Sequence, residues 1–150
     1  MSRATARAAA MQMIYEKLAG GQGGEDTLAM VYEELRQETA GTPEPVNEGE
    51  PGKDDKKYIL KALEGVLDHL DEIDRLIEKT AKGWALDRMA MVDLTILRLA
   101  VWEILYVPEI PGNVSISEAL LLTEKYSDPE DKSFLNGILG TILREHEANA

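Results

Sequence analysis

Few residues in this chain are equipped for bond-making chemistry. None of the 150 residues is cysteine, which removes thiol catalysis, disulfide frameworks and cysteine-ligated zinc or iron–sulfur sites together. The two histidines, His69 and His146, fall in different helical segments without the His-x-x-x-His or Glu-x-x-His spacing of a helical metal site, and both read as solvated surface residues. Gly20-Gly21-Gln22-Gly23-Gly24 lacks the Gly-Lys-Ser/Thr ending of a phosphate-binding loop and follows a helix rather than a strand. It reads as a flexible linker. The 28 acidic residues include the run Asp68, Asp71, Glu72 and Asp74, but no nucleophile accompanies them, and a solvated helical face is the expectation. No catalytic residue, metal ligand or cofactor is expected.

The remaining chemistry is ionic. Residues 1–18 hold Arg3, Arg7 and Lys17 against Glu16 alone, a net +2, within a chain of net charge −12. Phosphate affinity comes from lysine and arginine displacing counterions, so a protein this acidic is not expected to coat RNA indiscriminately. Any RNA footprint should begin at this first segment. Four residues apart, Arg3 and Arg7 are expected to project together from one helical face while Ala6, Ala10 and Ile14 turn toward the core. As exposed residues they should contribute little to stability. Asp93, Arg98 and Glu103 interrupt an otherwise apolar segment, where an unpaired charge would cost several kcal/mol. Either they pair internally or they mark a strip that faces a partner.

The elements that position these residues are helical throughout. Apolar spacing predicts helices over Ser2–Leu18 and Glu25–Thr39, then one from Asp54 through Leu70 that continues or restarts to Thr80. Pro43, Pro45 and Pro51, set among glutamates, predict an exposed loop at about 40–53. Asp87 is placed to cap a helix from Arg88 to about Tyr106, apolar around nearly its whole circumference and therefore central. Ser115-Ile116-Ser117-Glu118 has capping-box spacing for the next helix. Asp128 and Pro129 open the last one, which carries Phe134, Leu135, Ile138, Leu139, Ile142 and Leu143 inward and frays beyond Glu145. Gly137 and Gly140 inside it suggest close packing against the central helix, since each costs about 1 kcal/mol relative to alanine. No strand pattern is present. The expectation is an all-α single domain over residues 1–150, with about six to seven helices. Neither an apolar leader core in the first twenty residues nor a membrane-spanning window is seen, so a cytoplasmic protein with no membrane contact is expected.

Several stretches, taken in order, resemble the NusB family. Ser2-Arg3-Ala4-Thr5-Ala6-Arg7 leading into Ala10-Met11-Gln12-Met13-Ile14-Tyr15 looks like that family's basic opening before Ala-x-Gln-x-Leu-Tyr. Val92 to Ile104 is similar to its Ile-Leu-Arg-x-Ala-x-x-Glu-Leu helix. Ile110-Pro111 with Val114 to Ala119, and Phe134-Leu135-Asn136-Gly137-Ile138-Leu139, resemble its Pro-x-x-Val-x-Ile-Asn-Glu-Ala and Phe-Val-Asn-Gly-Val-Leu. Two departures stand out: Ala4 and Thr5 replace frequent basic residues, and Ser117 replaces the usual asparagine.

The resemblance implies two packed helical bundles without catalytic activity. It further implies binding of boxA-type RNA in ribosomal RNA transcripts together with NusE, the small-subunit ribosomal protein, within the RNA polymerase antitermination complex. Carried over residue by residue, Arg3 and Arg7 would contact RNA, and Tyr15 and Asp93 would face NusE. The bland readings of those last two are a core tyrosine and a buried ion pair. The alternative function is a protein-only helical adaptor or a self-associating scaffold, such as a homodimer, with little RNA binding. A related domain begins certain ribosomal RNA cytosine methyltransferases, but no strand and Gly-rich loop unit for a methyl donor occurs here.

Overall fold

The computed structural model describes residues 3–20 and 53–149. Among these residues there are six α-helices and no strand: α1 (Arg3–Leu18), α2 (Lys53–Asp68), α3 (Leu70–Thr80), α4 (Met91–Tyr106), α5 (Gly112–Tyr126) and α6 (Lys132–Ala148). Short 3-10 turns, Leu86–Arg88 and Pro129–Asp131, precede α4 and α6. The all-α fold is as expected. The helix expected over Glu25–Thr39 lies outside the described residues, as does the expected loop up to residue 52. The chain divides into two compact units, Met1–Glu64 and Gly65–Ala150.

In the first unit, α1 is enclosed more completely than a single apolar stripe would require. The consecutive residues Ala6 to Met11 are all buried, together with Met13 and Ile14. Six residues span more than one helical turn, so burial wraps around the axis, and the short alanine side chains allow it. On α2, Tyr58, Ile59 and Ala62 are buried in this unit, at the three-to-four spacing of one helical face.

In the second unit α4 is the central element. Every residue from Asp93 to Ile104 is buried, and α3, α5 and α6 pack against it. Its start differs from expectation. Asp87 sits in the 3-10 turn rather than capping a long helix, and α4 begins at Met91 with Ala90 at its cap position. The next helix also starts earlier than the capping-box spacing implied, at Gly112 behind Pro111. Ser115 is therefore inside α5, and its hydroxyl donates to Glu103 Oε1 at 2.9 Å in a fully buried bond. Glu103 is 1 % exposed, and a buried carboxylate needs donors such as this one. The cap at Asp128 is as expected, its carboxylate accepting the Glu130 N–H at 2.9 Å with Pro129 next in line. Helix α6 continues to Ala148, past the expected fraying at Glu145.

The glycine expectation is reversed. A β-carbon added at Gly137 would meet nothing within 4 Å, and one at Gly140 only the Arg144 guanidinium at 3.4 Å. Close packing occurs instead at Gly65, where an added β-carbon would lie 2.1 Å from Trp102 Nε1 on the central helix.

Candidate nucleic-acid interface

The side chains that could meet a polyanion belong first to the opening helix. Arg3 is exposed, and its guanidinium lies over the Tyr58 ring of α2, 4.5 Å from the centroid. A cation held on an aromatic face is positioned without losing its charge. Arg7 behaves differently: it is only 5 % exposed and is engaged in interactions within the protein. The expectation that Arg3 and Arg7 project together as exposed residues is thus corrected. The enclosure of α1 is the physical reason: from Ala6 onward burial wraps all sides of the helix, so Arg7 is covered although it shares a face with Arg3 at the exposed start.

A second set of cations was missed by reading the sequence in linear windows. Lys56, Lys57 and Lys61 are exposed on α2. Lys61 lies three residues from Tyr58 and four from Lys57, so these side chains are neighbours on the helix surface, on the element that carries the ring beneath Arg3. Residues 3–20 and 53–64 hold seven lysines and arginines against four acids, whereas the first unit as a whole, Met1–Glu64, holds eight against twelve and is net −4. The cation–π contact brings Arg3 onto the helix that carries Lys57 and Lys61; no spacing rule links Arg3 to residues more than fifty positions away.

Tyr15, also on α1, is 38 % exposed. Asp93, on α4 in the other unit, is 4 % exposed and accepts a hydrogen bond from the Ser127 hydroxyl at 2.6 Å. Burial, then the nearby Asp131 carboxyl, push its pKa up to about 6, and the Ser127 bond only partly offsets them.

The other charges that interrupt α4 are also satisfied within the second unit. Arg98 forks onto Asp74 of α3, Nε to Oδ1 at 2.8 Å and Nη2 to Oδ2 at 2.9 Å. This is the bidentate geometry that makes arginine–carboxylate pairs strong. The acidic run on α3 is therefore more than a solvated face: Asp74 holds Arg98, and Glu72 accepts the Tyr106 hydroxyl at 2.7 Å. That bond pushes the Tyr106 phenol up to about 12. His69, expected to be solvated, stacks on the Tyr106 ring with centroids 4.1 Å apart and an 18° interplanar angle, whereas His146 is exposed. Among the described residues no three acidic or histidine side chains are grouped to hold a metal ion, and no helix is long and apolar enough to cross a membrane.

Comparison with known proteins gives a consistent result. The model of the NusB family matches residues 4–144. A transcription antitermination protein NusB from Finegoldia magna is 37 % identical over 147 residues, covering 98 % of this chain and 97 % of the relative. Among solved structures, NusB of T. maritima superimposes with a TM-score of 0.75 at 28 % identity, covering 97 % of this chain and 93 % of that one. A crystal structure of the antitermination factors NusB and NusE in complex with double-stranded RNA gives a TM-score of 0.74 at 27 % identity, covering 95 % of this chain and 96 % of that one.

Proposed function

Since this chain belongs to the NusB family, we propose that it is a non-enzymatic transcription antitermination factor that binds boxA-type RNA together with NusE. The observation that carries this is likeness along the whole chain, both to relatives named for antitermination and to a NusB solved with NusE and RNA. The site of first contact in this reading is the set of exposed cations on α1 and α2. Arg3 meets phosphate or guanine edges, and the exposed Lys57 and Lys61 extend the positive surface. Arg7 stays in the proposed RNA site as a residue that RNA would have to uncover. Tyr15 and Asp93 are the proposed NusE-facing residues, Tyr15 as an exposed ring and Asp93 through the acidic end of α4.

The two units work as one domain in this reading, supported by a family match that runs through both. The proposed compartment is the cytoplasm, where nascent ribosomal RNA is made. With a net charge of −12, most of the surface repels RNA, so a basic partner that supplies further cations is part of the function rather than an accessory. The test is the salt dependence of RNA binding. Removing Arg3, Lys57 and Lys61 together should flatten the slope of log affinity against log salt by about two units, at roughly 0.7–0.9 per lost phosphate contact. An unchanged slope and affinity would mean that RNA does not bind through the first unit.

A further inference from the structure

The connection between α3 and α4 presents an indole to solvent. Trp84 is 52 % exposed, whereas the chain's other tryptophan, Trp102, is 2 % exposed in the core. Its position is defined by the backbone: Gly83 adopts φ +87°, a conformation that favours glycine, and the Trp84 N–H donates to the Ala81 carbonyl at 3.0 Å. The ring leans on Phe134 of α6, with centroids 5.6 Å apart and a 56° angle between planes. Phe134 therefore braces one side of the indole and leaves the remainder open. Lys82 and Arg88 are exposed in the same connection, where Asp87 is the only acid, so residues 81–90 carry a net +1.

A braced, half-exposed aromatic ring with exposed cations two residues before it and four after it in sequence has the parts of a single-stranded nucleic-acid subsite: a π-face for a base and charges for the flanking phosphates. We propose that Trp84 is a base-stacking platform for an unpaired nucleotide of the bound RNA, with Phe134 as its brace and Lys82 and Arg88 as its phosphate contacts. The proposal rests on the RNA-binding function above and adds a residue that reads the unpaired state of the RNA. Stacking is ordered by ring contact rather than by charge, so its loss should weaken binding without changing the salt slope.

The experiment uses the full chain with NusE and a single-stranded boxA-type RNA, comparing the parent with Trp84→Phe and Trp84→Leu. Leucine keeps an apolar cover over Phe134 but has no π-face, whereas phenylalanine keeps one. Trp84→Leu should bind at least about fivefold more weakly, with an unaltered salt slope and a reduced preference for single-stranded over duplex RNA. Trp84→Phe should stay close to the parent. In the parent, saturating RNA should also quench the tryptophan emission that acrylamide can reach, while the Trp102 emission left in Trp84→Phe should not respond. If the parent binds RNA but Trp84→Leu binds it equally tightly with the same strand preference, the stacking platform is overturned and the antitermination reading stands. If Trp84→Leu proves unstable, the parent's emission decides, and no change on saturation overturns the proposal. A parent that binds no RNA, with or without NusE, overturns both.

Discussion

Arg3 and Arg7 show how two residues of one type, one helical turn apart, acquire different roles. Arg3 lies exposed over Tyr58, so Arg3→Ala should lower stability by at most about 1 kcal/mol. Arg7 is buried and engaged, so Arg7→Ala should cost about 2–4 kcal/mol in chemical denaturation. Equal, small losses for both would show that Arg7 is solvated after all. The residue types were legible in the sequence, but the difference was not, because spacing on one helix says nothing about what surrounds it. Asp93 makes a second prediction at this scale. Its carboxyl is pushed up to about 6 in the folded protein, above the ordinary aspartate value of about 4. The folded state therefore holds that proton more tightly than the unfolded chain. The resulting stability is fully present below about pH 4 and is lost as pH rises through about 6. Asp93→Asn keeps an acceptor for Ser127 and does not ionise, so it should remove this dependence. Between pH 4 and pH 8 the parent should lose about 1–3 kcal/mol relative to Asp93→Asn. A difference between the two proteins that stays constant with pH would contradict the assignment.

Whole elements were easier to recognise than the ways they meet. The existence of α1, the central position of α4 and the Asp128–Pro129 start before α6 follow from periodicity and turn chemistry, which are local. The start of α5 was misplaced because Ser115 suits a cap and also suits a buried carboxylate's partner, and only the position of Glu103 decides between them. The glycines illustrate the same limit. Gly137 interrupts a helix with nothing near it, so Gly137→Ala should raise stability by about 0.5–1 kcal/mol through helix propensity alone. Gly65→Ala would gain that propensity too, but its new carbon would fall 2.1 Å from the buried Trp102 ring, which has little room to retreat. A net loss of about 1–3 kcal/mol is expected, and thermal unfolding of the two variants should move in opposite directions. Shifts of the same sign would place the close approach elsewhere.

At the scale of the molecule, function follows from uneven charge. The net −12 and the family resemblance were both legible from residues alone. The positive surface that combines Arg3 with lysines of α2 was not, because residues distant in sequence are brought together only by folding. A chain of net −12 with a few exposed cations gathered on α1 and α2 should bind RNA weakly by itself and well beside a basic partner. The central claim is this partner dependence, and titration of boxA-type RNA at one fixed salt concentration, with and without NusE, measures it most directly. NusE should tighten binding by at least about tenfold, or about 1.4 kcal/mol of coupling. Equal affinity in its presence and absence would contradict the account.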